Sequence, residues 1–513
     1  MGRKSWETWL VAGLLVLMAA VHLKTLRPGH DWGDDFSQYV HHAKNLAEGI
    51  PYGETGYIYN PSYATIGPPC YPPGCPLLLT PFYLLFGLNL EAMKLLMVAS
   101  LVCFLGLVYL CLRREFSLPW ALVGVLLVGC NRKWLGGANH IGSDLPFMAA
   151  LYLTLYLLQK AYDTARTDSP RLGYLLPAAL LMYVSYATRT LGGLLLPTVL
   201  VYDLLRYRRI TRWAILVSAV FLVPATVQGI AIHSNAAYFD QYDVGLGVFA
   251  GNAMEYLKES ARFWHNGYFF PFGALLFLAV TGLAALGYVS SVRRQATILE
   301  IFPALYLAAV LLFPGYGGVR YLQPIFPLYL LFAFRGLRHP WLAQRPALRR
   351  AAVASLAVAV AGSYLAAATA VKLEVTEGIS KPESVALFEY VRTHAAPDDV
   401  LVFIKPRAMA LLTSRRTSAY HMPKDDLALW DYFERIGANW LIVVENDHAL
   451  AEAEDPIRIA YLRDFALRNA SHLNLAFANG DFRLYRILGR NAGGLAMPTS
   501  PISCPTPSGT GAE

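Results

Sequence analysis

The sequence predicts a polytopic α-helical membrane protein of about eleven transmembrane helices, followed by a small C-terminal periplasmic α/β domain. Three observations carry that prediction. The 513-residue chain is 56% hydrophobic and only 15% charged, whereas a soluble chain carries roughly 25% charged residues. Apolar segments recur near 9–26, 91–112, 117–134, 144–160, 173–188, 191–206, 213–232, 270–291, 297–314, 320–335 and 351–371. Beyond about residue 371 that pattern stops, and short apolar runs alternate with amphipathic ones. The net charge of +8 is no nucleic-acid signal, because the basic residues cluster between apolar segments, where they set topology.

Each element follows in order. Arg3 and Lys4 precede the first segment, and His22, Lys24, Arg27 and Pro28 follow it without a small-residue cleavage site. It is therefore expected to be a retained helix rather than a signal peptide. Residues 76–90 are apolar but interrupted by Pro81, Gly87 and Asn89, which suits an interfacial segment. Loop charges then assign sides. Arg113–Arg114, Lys160 with Arg166 and Arg171, Arg206 to Arg212, Arg293–Arg294 and Arg335 to Arg350 all fall on one side with Arg3 and Lys4. That side is expected to be cytoplasmic, which leaves the C-terminal region outside. The outer loops are 27–90 and 233–269, the latter carrying His233, Asp240, Asp243, Glu255 and His265.

The expected domains are 1–371, transmembrane and catalytic with both outer loops; 372–490, periplasmic α/β; and 491–513, a disordered tail rich in Gly, Pro, Ser and Thr. Within 372–490, Ser380-Lys381-Pro382-Glu383 resembles a capping box opening a helix to His394. Val400–Ile404 and Trp440–Val444 have the composition of buried strands. Helical patterns fall near 406–413, 425–437 and 456–468, and Asn479-Gly480 marks a hairpin within 473–487. Asn469-Ala470-Ser471 matches a glycosylation acceptor, a pattern short enough to arise by chance. Cys70 and Cys75 flank Pro-Pro-Gly, and spacing leaves open whether they are bridged or free.

Six residues are candidates for chemistry. Asp34 and Asp35 lie between the first span and a Pro-rich loop. One account makes them a helix start; the other makes one of them a general base that takes the proton of an attacking hydroxyl or amine. Asp144, at the outer start of a span, is either an N-terminal helix charge or a second carboxylate of the same cavity. Arg189 and Arg320 stand at outer helix ends. They either snorkel to headgroups or hold a lipid phosphate with the guanidinium fork. Arg320 and Tyr321 follow two glycines and precede Pro324 and Pro327, a pattern for a distorted helix start. Arg132 and Lys133 are lesser candidates of the same kind. His233 and His265 lack metal-ligand spacing, so no metal is expected there. There is no P-loop, dinucleotide fingerprint or nucleophile elbow.

In this order the landmarks resemble the GT-C glycosyltransferase superfamily, and within it the branch of dolichyl-phosphate-mannose protein mannosyltransferases and bacterial aminoarabinose (lipid A) transferases. The resemblance covers roughly residues 1–490. It rests on the acidic pair, on Tyr71-Pro72-Pro73-Gly74-Cys75-Pro76-Leu77 and on Arg320-Tyr321-Leu322-Gln323-Pro324. It implies inverting transfer of a monosaccharide from a polyprenyl-phosphate donor to a lipid, glycan or protein acceptor at the outer face of the bacterial cytoplasmic membrane. The family's catalytic aspartate falls on Asp35 if Tyr39 is the anchor and on Asp34 if the acidic pair is; Asp144 resembles a second family carboxylate. The aminoarabinose enzymes have a lysine before Pro-Pro. Tyr71 stands there in this chain, which argues against carrying over a lipid A acceptor. Metal dependence varies across the family, so a divalent ion is compatible but not implied. Competing accounts are a transporter or flippase of lipid-linked sugars, and an O-antigen-ligase-like enzyme with a diphosphate-linked donor.

Overall fold

The computed structural model describes residues 3–131, 133–162, 169–232, 245–264, 270–313, 317–369, 378–447, 449–450 and 456–489. Helices α1 to α5 are Arg3–Lys24, Asp34–Glu48, Gly74–Phe86, Leu90–Arg113 and Leu118–Gly129. Next come α6 to α10: Asp144–Tyr162, Leu172–Thr188, Leu195–Tyr207, Arg212–Ala231 and Leu246–Arg262. Helices α11 to α15 are Phe270–Gln295, Ile298–Leu311, Phe326–Leu337, Pro340–Ala343 and Pro346–Thr369. The last four, α16 to α19, are Pro382–His394, Pro406–Thr413, Asp426–Ile436 and Pro456–Arg468. Strands β1 to β6 are Tyr57–Ile58, Val400–Val402, Arg416–Ser418, Ala438–Val444, Leu473–Ala478 and Phe482–Ile487.

The chain divides into two compact units. One comprises the described residues of Met1–Leu26, Pro72–His233 and Ala237–Leu373; the other has Arg27–Tyr71 and the described residues from Glu374 on. Each apolar segment expected to span the membrane coincides with a helix of the first unit. Among the described residues, Trp6–Lys24, Leu90–Arg113, Arg212–Ala231 and Gly273–Gln295 are long and apolar enough to cross a membrane individually. Gly74–Phe86, Leu118–Gly129, Leu172–Thr188 and Ile298–Leu311 are shorter and equally apolar. The chain is thus a polytopic helical membrane protein.

Polar residues set the helix starts. The Asn89 side chain accepts from the Ala92 N–H at 3.0 Å, and Thr297 with Glu300 completes a capping box on α12. Small residues set the closest packing. A Cβ on Gly287 would lie 1.9 Å from the Phe332 carbonyl, and one on Gly336 would lie 2.1 Å from the Leu283 carbonyl. Only glycines let α11 and α13 approach this closely. The Arg-rich ends meet: Arg113 pairs with Glu7 at 2.6 Å, and Arg335 pairs with Glu115 at 2.7 Å and with Glu300. The loops assigned to one side by charge therefore share one end of this unit.

The second unit is built on one mixed sheet of order β1-β3-β2-β4-β6-β5. Strands β1, β3, β2 and β4 run parallel, and β6 and β5 continue antiparallel. Helices α17 and α19 occupy the expected residues, and the hairpin turns at Asn479-Gly480. Trp32 fills the core among Phe388, Phe403 and Phe482, with ring centroids 5.3, 5.4 and 5.8 Å away.

Several expectations need correction. Residues 27–71 were assigned with the transmembrane helices, yet Tyr57–Ile58 pairs with Thr417–Ser418 as the sheet's edge strand. That segment folds with the C-terminal unit, where its strand pairs with β3 and the Trp32 ring is buried among Phe388, Phe403 and Phe482. The capping box at Ser380 is not made. Lys381 is the N-cap residue without a side-chain cap, Pro382 opens α16, and Lys381 reaches Asp481 at 2.6 Å instead. Strand β3 was missed, being three residues long with an exposed Arg416. Cys70 and Cys75 are both free thiols. Asn469 is no open acceptor: its amide bonds Trp430 at 3.0 Å and Asp426 at 3.1 Å. Arg132, His233, Asp240, Asp243, His265, Cys504 and the tail 491–513 lie outside the described residues.

Candidate active site

Asp34 and Asp35 open α2, and the structure separates them. Helix α2 is N-capped by Gly33 with no side-chain bond, so neither aspartate caps its own helix. Asp34 is buried, 8% exposed, and caps a different helix. Its Oδ1 accepts the backbone N–H of Arg407 at 3.0 Å and of Ala408 at 3.1 Å. These are orphan donors in the first turn of α17. Its Oδ2 accepts from Arg407 Nε at 2.6 Å. Three hydrogen bonds thus hold both oxygens of Asp34 within the protein.

Asp35 is different. Consecutive helical residues point about 100° apart, and Asp35 is 32% exposed. Its Oδ1 accepts from the Tyr71 hydroxyl at 2.7 Å, and Arg407 Nη2 stands 3.4 Å from the same oxygen. Arg407, 2% exposed, also donates to the Tyr71 hydroxyl oxygen and to the Ile66 carbonyl. Its guanidinium carbon lies 5.1 Å from the Tyr71 ring centroid and 5.6 Å from that of Tyr57. Burial opposes its charge, but Tyr71, Asp34 and Asp35 outweigh that and hold its pKa well above the ordinary arginine value. Gly67 makes room for the cluster. Its φ is +112°, and a Cβ there would lie 2.8 Å from the Tyr71 hydroxyl.

His42, two turns further along α2, fixes Tyr71. Its Nδ1 donates to the Tyr52 carbonyl at 2.8 Å, and its Nε2 accepts the Tyr71 N–H at 3.2 Å. The Tyr39 and Tyr71 rings pack 4.8 Å apart. Burial pushes the His42 imidazole down to about 3, against its bond to the Tyr52 carbonyl. It is therefore a neutral, single-tautomer support.

The helical unit brings together the other four sequence candidates. Asp144, the first residue of α6, accepts from Arg189 Nη1 at 2.5 Å through Oδ1. Through Oδ2 it accepts Arg320 Nε at 3.0 Å and Nη2 at 2.8 Å. Ser143 Oγ is a further acceptor for Arg189, at 3.3 Å. The Tyr321 ring lies under the Arg189 guanidinium at 5.1 Å. Arg189 is 13% exposed and Arg320 39%, so Arg320 offers more of its fork to a ligand. The distorted helix start is present. Arg320 sits in a 3₁₀ turn, Gly318–Tyr321, and a second 3₁₀ turn, Gln323–Ile325, leads into α13. The Tyr152 hydroxyl holds the Pro324 carbonyl at 2.9 Å, and Gln323 donates to the Lys133 carbonyl at 2.8 Å.

Sequence reasoning missed Arg407, Tyr71 as a hydroxyl donor, and Lys94, which is buried to 1% near the start of α4. One cue for Arg407 existed: it is the only charge in Pro406–Thr413. A lone charge in an apolar helix needs a partner, but its partners are more than 330 residues away.

Residues 71–230 match the dolichyl-phosphate-mannose-protein mannosyltransferase family. No curated protein matches the chain by sequence. Among solved structures, ArnT from Cupriavidus metallidurans bound to undecaprenyl phosphate is 15% identical, with a TM-score of 0.58 over 96% of this chain and 100% of that one. The Archaeoglobus fulgidus oligosaccharyltransferase AglB, in complex with an inhibitory peptide and a dolichol-phosphate, is 12% identical. Its TM-score is 0.55 over 86% of this chain and 70% of that chain. The arabinofuranosyltransferase AftD from Mycobacteria is 13% identical, with a TM-score of 0.52 over 96% of this chain and 40% of that chain. The chain has the GT-C glycosyltransferase fold and resembles the ArnT and protein-mannosyltransferase branch.

Proposed function

We propose that the protein is an inverting glycosyltransferase that moves a monosaccharide from a polyprenyl-phosphate carrier to a lipid, glycan or protein acceptor at the outer face of the bacterial cytoplasmic membrane. The observation that carries this is Asp35: a partly exposed carboxylate beside a neighbour whose charge is already neutralised by Arg407. The acceptor oxygen or nitrogen attacks C1 of the sugar while the bond from C1 to the phosphate oxygen breaks, and its electron pair leaves with polyprenyl phosphate. Asp35 takes the acceptor's proton through its carboxylate. Tyr71 and Arg407 orient that carboxylate. Arg320 and Arg189 take up the phosphate charge, with Asp144 positioning both rather than acting as a base, since each of its oxygens already holds an arginine. The lipid phosphates named for ArnT and AglB support a donor of that class.

The test uses purified full-length protein with polyprenyl-phosphate monosaccharides, following release of polyprenyl phosphate and label transfer to an acceptor. Donor-dependent transfer with inversion at C1 is expected. Movement of an intact lipid-linked sugar across a proteoliposome bilayer, with no bond broken, would replace this reading by a flippase. Turnover only with a diphosphate-linked oligosaccharide would replace it by a ligase.

A further inference from the structure

Helix α6 begins at Asp144 and ends at Tyr162, so its far end lies about 27 Å from the Asp144 cluster at 1.5 Å per residue. There, among the Arg-rich ends of the helices, a cavity of about 470 Å³ opens. Its walls include Gln159, Lys160 and Tyr162 of α6, Arg114 after α4, and Thr297 at the start of α12. Arg335 and Glu115 also line it, but they are engaged with each other at 2.7 Å.

Three features define what would fit. First, the Gln159 side-chain amide nitrogen and the Tyr162 hydroxyl are buried with no hydrogen-bond partner among the described residues. A nitrogen of this kind only donates, and a phenol donates readily, so the missing partner is an acceptor. Second, Lys160 and Arg114 flank the opening on the Tyr156 ring, 5.7 and 5.9 Å from its centroid. Lys160 has no carboxylate partner among the described residues. Third, Thr297, Ile298 and Leu299 at the start of α12 line the cavity, and the capping box of Thr297 and Glu300 already closes that helix end, so the donors left for a ligand are side chains. Asp203 turns one carboxylate oxygen to Thr211 at 2.6 and 2.8 Å, and its other oxygen is buried with no hydrogen-bond partner among the described residues.

Orphan donors and cations converge on an anion with several acceptor oxygens. We propose that this cavity is a second binding site, for a phosphate group, at the end of the helical unit opposite Asp144. Gln159 and Tyr162 hydrogen-bond the phosphate oxygens, and Lys160 and Arg114 neutralise them. The site lies among the loops whose charge predicts the cytoplasmic side, where phosphate comes from two sources: a phospholipid headgroup or a soluble phosphate. It is independent of the proposed transfer chemistry, and its test needs no activity.

The experiment uses the full-length protein in detergent. Inorganic phosphate is titrated against chloride at equal ionic strength and followed by thermal melting. Dioleoylphosphatidic acid is titrated against dioleoylphosphatidylcholine and followed by native mass spectrometry. Stabilisation by inorganic phosphate assigns a soluble ligand; selective retention of phosphatidic acid without a phosphate effect assigns a lipid headgroup. In either case Tyr162→Phe and Lys160→Gln should each weaken binding by roughly tenfold, the weight of one hydrogen bond to a charged group. Tyr162→Phe removes a hydroxyl that has no partner, so its melting temperature without ligand should match the parent's. Binding of neither probe, or equal binding by both variants and the parent, overturns the proposal. So does a marked loss of ligand-free stability in Tyr162→Phe, which would mean that the hydroxyl is already used within the fold.

Discussion

Replacing each aspartate of the pair by asparagine should produce opposite defects. Asp34 accepts two backbone N–H groups of α17 and the Arg407 Nε, at 3.0, 3.1 and 2.6 Å. Asparagine keeps a carbonyl for the backbone pair but turns an amide toward a guanidinium that is 2% exposed. Breaking a buried pair from one side costs about 3–5 kcal/mol. Asp34→Asn should therefore destabilise the α/β unit by about that amount. It should also accelerate deuterium exchange in peptides spanning residues 406–413, where the first-turn N–H groups lose part of their cap. Asp35 is 32% exposed, and the bond its Oδ1 accepts from the Tyr71 hydroxyl is one that an amide oxygen can accept equally well. Its conversion to asparagine should change stability by no more than about 1 kcal/mol. Asparagine cannot take a proton, so turnover should fall by roughly 10²–10⁴-fold. Denaturant unfolding, exchange mass spectrometry and single-turnover transfer on both purified variants give the answer. A stable, inactive Asp34→Asn beside an active Asp35→Asn would reverse the roles and refute the reasoning. Near-normal turnover in both would remove the acidic pair from the chemistry.

Three further outcomes follow from the same geometry. Arg320→Ala and Arg189→Ala should each weaken donor use by roughly tenfold or more, measured as donor KM, while Arg293→Ala and Arg294→Ala at the other end of the unit leave it unchanged. Loss of folding without a donor effect in the first two variants would make them structural ties to Asp144. Stability of the α/β unit should fall as pH drops from about 6.5 toward 3. The reason is that burial holds His42 at about 3 and, with Lys44, His41 at about 4; in that window the unfolded chain binds protons that the folded one refuses, so stability rises with pH. Denaturant midpoints across that range should show this slope, and His42→Gln should flatten it; a slope unchanged in the variant would assign it to other groups. In a cysteine-free background, Gly480→Cys, an exposed hairpin position with open space around it, should react with a membrane-impermeant maleimide in intact cells; reaction only after lysis would invert the topology.

The sequence by itself determined the helices, because membrane segments and amphipathic helices are local patterns: a run of apolar residues, a proline at the first helical position, a glycine after the last. Helices α17 and α19 and the Asn479-Gly480 turn were legible for that reason. It also pointed to Asp144, Arg189 and Arg320, since an ionisable residue at the end of an apolar segment stands out against its surroundings. Only the tertiary structure decided what these groups touch. It brought Asp144 between two arginines that lie 45 and 176 residues from it in the chain, so that each of its oxygens holds a guanidinium. It moved residues 27–71 into the sheet through a two-residue strand, too short to carry a period. And it split Asp34 from Asp35. As adjacent residues of one type they are indistinguishable in sequence. The 100° turn between helical neighbours and an arginine 373 residues away buried one aspartate against α17 and left the other partly exposed.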